Sequence, residues 1–278
     1  MSNKGFLILA QNSEGVDYVR QAYALALSIA RTQKLHKSVS LLTNDVVPEE
    51  YKDAFDNIIP IPWTDSSENR YAAGNRWKFI YASPYDETIV LDSDMLFFKD
   101  ISATWDHLDQ YDLFFTSKVH DHKDRVITDT KNRRTFIENQ LPNIYFALHY
   151  FKKTELSFQF YKTLELVTRN WKHFYSIVTP KMTQPWVSMD VSAAIAIKLL
   201  GIENQVTNPN VNFTFVHMKP NVQQWSAVPM KWTDSADFYL TDDFSLFVNQ
   251  FKQGKIFHYT ENEFLSNQVL EILEFQNV

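Results

Sequence analysis

Short apolar runs alternate with segments of helical periodicity through the first hundred residues, and this alternation constrains the fold more than any other feature. The apolar runs are residues 6–10, 39–42, 58–61 and 88–91. Between the first two runs, apolar side chains from Val16 to Ala30 recur every three or four positions, which predicts a helix. Such strand and helix alternation is typical of βαβ units. We therefore predict an α/β fold with a mixed, mostly parallel sheet flanked by helices.

The later part of the chain is more mixed. Residues 113–116, 145–151 and 213–217 have the composition of strands, and residues 156–168 and 187–200 have helical periodicity. The chain has 278 residues, of which 45% are hydrophobic, and this is enough to bury a large core. With five glycines, ten prolines and no low-complexity segment, it has no recognisable linker. We therefore expect one domain over residues 1–278.

Charge and composition exclude several classes of protein. The formal net charge is -6, and no basic run offers a surface for a phosphate backbone, so we expect no nucleic-acid partner. No apolar stretch approaches the roughly 18 residues of a membrane span, and the first apolar run is too short for a signal peptide. Cysteine is absent, which fits a reducing compartment. We expect a cytoplasmic protein.

Two acids, Asp92 and Asp94, directly follow the fourth apolar run and precede another at 95–98. In open α/β sheets the ligand crevice lies outside the carboxyl ends of the strands. In an extended strand, side chains two residues apart point to the same face, about 6–7 Å apart at the backbone. Both carboxylates can therefore converge on one cation, and Mg²⁺ or Mn²⁺ prefers such oxygen ligands.

Two other interpretations of the Asp-Ser-Asp segment remain open. Aspartate favours turns, so the pair can be a turn or helix-cap cluster. The apolar runs on both sides favour the metal interpretation, because charges between them need a partner. A phosphatase of the haloacid dehalogenase type also carries Asp-x-Asp after an apolar strand, with a threonine two residues beyond the second acid. Leu96 occupies that position here, which makes the phosphatase a minor alternative.

Residues 78–94, KFIYASPYDETIVLDSD, resemble glycosyltransferase family 8, the glycogenin and bacterial galactosyltransferase group, which has a GT-A fold. In that family a basic residue on a helix precedes the strand, and the two aspartates bind manganese and the nucleotide. Residues 10–12 and 17–18 are similar to the family's first strand and to the tyrosine that stacks on uracil. The resemblance implies a glycosyltransferase that uses Mn²⁺ or Mg²⁺. It would move a sugar from a nucleotide-diphosphate sugar, a UDP-sugar by this likeness, to an acceptor hydroxyl with retention of configuration.

The resemblance also implies roles for single residues. Residues 1–100 would form the nucleotide-sugar-binding half, and residues 101–278 the acceptor half with the C-terminal metal-ligand region. Lys78 best fits the family's basic residue, and Asp190, in Ser188-Met189-Asp190, resembles the family's Asp-Gln segment beside the reacting carbon; both are catalytic candidates. The residues expected to contact the donor are Ala10, Asn12, Tyr18, Arg70, Arg76, Lys78, Asp92, Ser93 and Lys219.

Taken without the resemblance, these side chains have ordinary structural interpretations. Tyr18 can pack into the core at the start of a helix. Arg70, Arg76 and Lys78 can form a solvated basic helix face, although cations beside a polyanionic donor also make physical sense. Asp190 in a first helical turn complements the helix dipole.

The C-terminal half departs from the family pattern. The family's Asn-small-Gly signature would fall near residues 143–147, where Tyr145 stands in place of asparagine. The family's third metal ligand is a histidine in His-x-x-Gly-x-x-Lys-Pro-Trp. His258 lies in the right part of the chain but lacks the Lys-Pro, whereas His217 precedes Lys219-Pro220 but comes early. We predict Asp92, Asp94 and His258 as metal ligands, with His217 as second choice.

Two rival functions remain. A sugar nucleotidyltransferase uses a similar fold and acid pair but has a glycine-rich basic loop after its first strand, which residues 13–16, SEGV, do not provide. A non-catalytic nucleotide-sugar-binding protein would keep Tyr18 and Lys78 without turnover. Trp186, Trp225 and Trp232, in the predicted acceptor half, are candidate platforms for sugar rings, although such aromatic residues are more often part of the core.

Overall fold

The fold is described from a computed structural model that covers residues 3–63, 72–128, 133–180, 186–219 and 231–275. Its strands are β1 (Lys4–Leu9), β2 (Val39–Leu42), β3 (Asn57–Ile59), β4 (Glu87–Asp92), β5 (Met95–Phe97), β6 (Leu113–Thr116), β7 (Tyr145–Lys152), β8 (Phe215–His217), β9 (Phe238–Leu240), β10 (Leu246–Val248), β11 (Phe251–Lys252) and β12 (Ile256–His258).

Nine α-helices occur in the same residues. They are α1 (Tyr18–Thr32), α2 (Glu49–Lys52), α3 (Phe79–Ala82), α4 (Ser102–Leu108), α5 (Arg134–Glu138), α6 (Glu155–Arg169), α7 (Trp171–Val178), α8 (Met189–Leu200) and α9 (Asn267–Phe275). Short 3₁₀ helices occur at Ala72–Lys78, Trp232–Asp234 and Asn262–Phe264. No helix of the described residues is both long and apolar enough to cross a bilayer.

Six strands form the central sheet in the order β3-β2-β1-β4-β7-β6. The first four run parallel, while β7 is antiparallel to both β4 and β6. Helices cover both faces, so the predicted mixed and mostly parallel sheet is confirmed. The carboxyl ends of β1, β2, β3 and β4 lie together at one edge of the sheet, where the sequence predicts the site.

The core occupies both faces of this sheet because the side chains of a strand alternate. On β1, Phe6 and Ile8 join the cluster that contains α1, whereas Leu7 and Leu9 join the cluster that contains α6 and α8. Both clusters are almost wholly buried, which explains why the first strands are continuous apolar runs rather than alternating ones.

Local signals explain where the helices begin and end. Helix α1 begins after Asp17, whose carboxylate accepts a hydrogen bond from the backbone N–H of Arg20 at 2.9 Å. Helix α8 ends at Gly201, which has a left-handed φ of 67°. Residues 72–82 form a 3₁₀ helix, Ala72–Lys78, followed by the single turn of α3.

A second, three-stranded sheet in the order β5-β12-β8 lies beside the end of β4. Strand β12 is antiparallel to β5 and parallel to β8, and His258 pairs with Met95 on one side and with His217 on the other. This small sheet brings residues near 95, 217 and 258 together, although the sequence contains no local sign that they meet.

Candidate active site

The two predicted acids lie at the junction of the two sheets. Asp92 is the last residue of β4, and Ser93 and Asp94 form a bend before β5 begins at Met95. The acids therefore converge because the chain bends there, and not because they alternate along one extended strand as the spacing suggested. The backbone carbonyl of Asp94 accepts a hydrogen bond from Tyr259 N at 3.1 Å, which ties the bend to the end of β12.

Asp92, Asp94 and His258 form a cluster whose ligand atoms all lie within 4.8 Å of one another. His258 Nε2 lies 3.0 Å from Asp94 Oδ1. The side chains of Asp92 and Asp94 are 19% and 20% exposed, and both line a cavity. Two carboxylate oxygens and an imidazole nitrogen are suitable donors for Mn²⁺, and they leave other coordination positions to a ligand and water. The three side chains thus fit the predicted metal.

The electrostatics of this cluster couple His258 to the acids. Burial lowers the pKa of His258, but the charge and hydrogen bond of Asp94, together with the charge of Asp92, outweigh burial and raise that pKa above its usual value. Burial in turn raises the pKa of Asp94, and His258 more than offsets this, so that the Asp94 pKa is lowered. Asp94 and His258 therefore each favour the charged form of the other.

His217 lies directly behind this pair. Its ring stacks on that of His258, with centroids 4.7 Å apart, and the ring of Tyr145 meets it edge-on at 6.1 Å. Burial, followed by the charge of His258, lowers the pKa of His217 well below its usual value. Its assignment as the second-choice ligand stays a prediction.

A cavity of about 510 Å³ opens beside the cluster. Four carboxylates line it, from Asp92, Asp94, Asp190 and Glu261, against two basic side chains, Arg76 and Lys219. Its remaining walls come from the start of β7 (145–147), from residues 188–189 before and at the start of α8, and from Ala73, Phe215, His217, His258 and Thr260. The two predicted acids, Asp190 and two of the predicted basic residues, Arg76 and Lys219, therefore meet in one place.

Arg76 is the basic residue of the 3₁₀ helix that faces the cavity. Its Nη1 lies 2.5 Å from Asp92 Oδ1, and both side chains are partly buried. Lys78 points elsewhere: it is fully buried, and its Nζ donates to Asn75 Oδ1 at 2.7 Å and to the carbonyl of Trp63 at 3.2 Å. Lys78 does not line the cavity, and its catalytic role stays a prediction.

Asp190 lies in the first turn of α8, with its carboxylate held on both oxygens. Oδ1 accepts a hydrogen bond from Phe146 N at 2.8 Å, and Oδ2 accepts one from Arg133 Nη1 at 2.6 Å. Arg133 also donates from Nε to Asn143 Oδ1 at 2.7 Å and from Nη2 to the carbonyl of Ile144. Sequence analysis did not identify Arg133, because nothing in its local sequence relates it to a helix that begins more than fifty residues later.

The residues predicted to bind the nucleotide lie at the ends of β1 and β4 and at the start of α1. Tyr18, the first residue of α1, is half-buried, and burial followed by the charge of Asp94 raises its pKa. Asn12 accepts a hydrogen bond from Val19 N at 3.1 Å, and its own N–H donates to Asp45 Oδ2 at 2.6 Å. Ala10 is buried. Ser93 is buried too, and its hydroxyl donates to Gln21 Oε1 of α1 at 3.3 Å.

Four further candidates and one missed residue complete the placement. Trp186 is 57% exposed and is not among the residues that line the cavity. Arg70 and Trp225 lie outside the described residues. Trp232 is fully buried, with its Nε1 donating to the carbonyl of Tyr259, so it is a core residue and not a sugar platform. Glu261 lines the cavity and was not identified from the sequence. Burial, followed by the charge of Glu263, raises its pKa.

Comparisons with known proteins support the fold. No protein-family model and no curated protein matches the chain. A crystal structure of the galactosyltransferase LgtC in complex with donor and acceptor sugar analogues matches 98% of this chain and 96% of its own, at 12% identity and a TM-score of 0.55. The fold is of the GT-A type. The apo structure of the bifunctional glycosyltransferase WbbM matches all of this chain and 52% of its own, at 13% identity and a TM-score of 0.51.

A third solved structure, the glycosyltransferase GlyE from Streptococcus pneumoniae TIGR4, matches at 12% identity and a TM-score of 0.48. The alignment covers 98% of this chain but only 61% of the GlyE chain. This chain therefore spans about three fifths of the GlyE structure and about half of WbbM, whereas it spans nearly the whole of LgtC.

Proposed function

We propose that the protein is a metal-dependent glycosyltransferase that moves a sugar from a nucleotide-diphosphate sugar, in the first place a UDP-sugar, to an acceptor hydroxyl. The observation that carries this proposal is the Asp92, Asp94 and His258 cluster beside a cavity of about 510 Å³ at the carboxyl edge of the sheet. The GT-A type of fold supports it, as does the likeness over nearly full length to LgtC, whose crystal structure contains donor and acceptor sugar analogues.

The charges in the cavity support a role for a divalent cation. Four carboxylates and only two basic side chains line the walls, so a diphosphate would meet an excess of negative charge. Asp92, Asp94 and His258 are the residues that would hold Mn²⁺ or Mg²⁺. When bound, the ion would neutralise the charge that develops on the departing diphosphate.

The side chains around the cluster have complementary roles in this proposal. Arg76, already directed at Asp92, and Lys219, which is exposed and lines the cavity, supply positive charge to the diphosphate. Tyr18 and Asn12 lie at the nucleotide end. Asp190 contacts the transferred sugar from the start of α8. Retention of anomeric configuration belongs to the proposal through the family resemblance, and NMR of the anomeric proton of the first-formed product tests it.

Isothermal titration calorimetry with UDP tests the proposal most directly, first with Mn²⁺ and then with EDTA. We expect UDP to bind with Mn²⁺ and to lose at least about tenfold in affinity when the ion is removed. Asp94→Asn should abolish the dependence on Mn²⁺ and the release of UDP from UDP-sugars. Asp106→Asn is the matched control, because Asp106 is an exposed aspartate on α4, away from the cavity.

Two results would contradict the proposal in different ways. Equal UDP affinity with Mn²⁺ and with EDTA would show that nucleotide binding does not depend on a metal ion. Failure of a panel of uridine, guanosine and adenosine diphosphates to bind under either condition would overturn the nucleotide-sugar assignment as a whole. Binding without turnover of any UDP-sugar, including hydrolysis, would identify a non-catalytic binding protein.

A further inference from the structure

We infer that Arg133 is a positioning residue that holds the carboxylate of Asp190 in the orientation needed to accept hydrogen bonds from the hydroxyls of the donor's sugar. This inference rests on the proposed function. It adds a residue that is not among those lining the cavity and that acts through Asp190.

Arg133 is held rigidly. Three of its nitrogens make three separate hydrogen bonds, to Asp190, Asn143 and the carbonyl of Ile144. Its guanidinium carbon lies 3.8 Å from the ring centroid of Phe136 and 4.0 Å from that of Tyr145, so the planar group is sandwiched between two aromatic rings. Only 10% of the side chain is exposed. In a planar guanidinium that is fixed in this way, each N–H group points in one fixed direction.

Asp190 is the residue on which this arrangement converges. Each of its oxygens accepts one hydrogen bond, from Phe146 N and from Arg133, and each keeps capacity for another. Its side chain is 28% exposed and lines the cavity. A carboxylate with both oxygens bonded on one side and open to a cavity on the other is oriented to receive hydroxyl donors, which a sugar ring provides.

Tyr145 links this pair to the rest of the site. The same ring that packs on Arg133 meets His217 edge-on and lines the cavity. Tyr145 is also the position at which the sequence departs from the family signature. In this chain an aromatic ring there forms one side of the guanidinium sandwich, which gives the departure a physical role.

Loss of Arg133 would leave Asp190 with one hydrogen bond, from Phe146 N to Oδ1. The carboxylate would then be held at one oxygen only and would lose its fixed direction. The effect should appear where the sugar binds and not where UDP binds, because Arg133 contacts none of the residues of the Asp92, Asp94 and His258 cluster among its described hydrogen bonds and ion pairs.

The test compares UDP with the UDP-hexose that binds most tightly to the wild-type protein, both in the presence of Mn²⁺. We expect Arg133→Met to lose about tenfold or more in affinity for the UDP-hexose and less than about twofold for UDP. Arg134→Met is the matched control, because Arg134 is the next residue, 76% exposed, and pairs only with Glu138 in the described structure. It should match the wild type with both ligands.

A double-mutant cycle separates positioning from a general loss of structure. If Arg133 acts through Asp190, Arg133→Met combined with Asp190→Asn should cost no more UDP-hexose affinity than Asp190→Asn alone. Guanidinium ion added to Arg133→Ala should restore part of the lost affinity, and Arg133→Lys, which keeps the charge without the planar fork, should fall between wild type and Arg133→Met.

Three results would overturn the inference. They are an equal loss for UDP and UDP-hexose, no loss for either, and additive losses in the double variant. If Arg133→Met does not fold, the same comparison on Arg133→Lys decides the question in the same way. Failure of the wild-type protein to bind UDP at all is a different result, because it contradicts the proposed function and not the positioning role.

Discussion

The imidazole rings of His217 and His258 stack, with centroids 4.7 Å apart and an angle of 12° between the ring planes. They are register partners on the parallel strands β8 and β12. Two histidines that lie forty-one positions apart in the chain, and that each match part of the same family signature, are therefore neighbours in the fold. Only His258 places a ring nitrogen 3.0 Å from Asp94, and only His258 belongs to the cluster of possible metal ligands within the described residues.

This difference predicts unequal effects of removing the two rings. His258→Ala should weaken Mn²⁺ binding by about a hundredfold or more, because it removes a donor of the cluster. His217→Phe keeps a flat ring stacked on His258 and should weaken it by less than about tenfold. Titration of free Mn²⁺ by electron paramagnetic resonance measures both. The reverse order would assign the ligand role to His217.

The ion pair between Arg76 and Asp92 predicts the role of the one arginine that lines the cavity among the described residues. Arg76→Met should weaken UDP binding in the presence of Mn²⁺ by about tenfold, which corresponds to the loss of one hydrogen bond to a charged group. It should leave the affinity for uridine unchanged, because uridine has no phosphate. Calorimetric titration of both ligands gives the comparison.

Arg125→Met is a suitable control for this prediction. Arg125 also pairs with an aspartate, Asp121, but its side chain is 70% exposed and lies outside the cavity. It should bind UDP as the wild type does. Equal losses for UDP and uridine in Arg76→Met would show that the variant disturbs the fold of the site and not the phosphate contact.

Much of the fold is predictable from the sequence because its strands are buried on both faces. A run such as residues 89–91 must be apolar when both sides of β4 are covered, and this made the strand and the acids at its end recognisable. The bend at Ser93 and Asp94 was not predictable, because the segment Asp-Ser-Asp is compatible both with a longer β4 and with a turn after it.

The site itself was predictable only where its residues are neighbours in the chain. His258 meets Asp94 through the pairing of β12 with β5. Arg133, which directly precedes α5, pairs with Asp190 in the first turn of α8. Neither contact joins residues at a regular spacing in the chain, so a single sequence contains no pattern that would reveal it. Arg76 and Lys78 show the opposite problem: they lie two residues apart, and the 3₁₀ helix directs one to the cavity and the other into the core.

The buried histidine of β7 predicts a pH dependence of stability. His149 is fully buried and donates from Nδ1 to the carbonyl of Phe146, while its Nε2 lies 2.7 Å from the hydroxyl of Tyr161. Burial lowers the pKa of His149 to about 3. An unfolded chain binds a proton to this residue near its ordinary pKa of about 6.5 and the folded chain does not, so stability is lost as the pH falls from about 6.5 towards 3.

The expected size at pH 5 is a loss of about 2 kcal/mol from this residue relative to pH 8. Because carboxylates and His217 also titrate, the measurement compares urea unfolding of wild type and His149→Gln at both pH values. The variant should be less stable at pH 8 but should lose less stability between pH 8 and pH 5. Parallel losses in the two proteins would show that His149 does not contribute.

A close contact at the other end of β1 gives a prediction about stability that is independent of the site. A Cβ added to Gly5 would lie 2.4 to 2.6 Å from three ring atoms of Tyr85, whose hydroxyl is fixed by a 2.7 Å hydrogen bond from Ser40. The buried ring cannot move aside without losing that bond, so Gly5→Ala should destabilise the protein by about 1–3 kcal/mol. Gly254→Ala is the control, since nothing lies within 4 Å of its added Cβ. Urea unfolding at pH 8 measures both, and equal stability of the two variants would mean that the Tyr85 ring repacks at no cost.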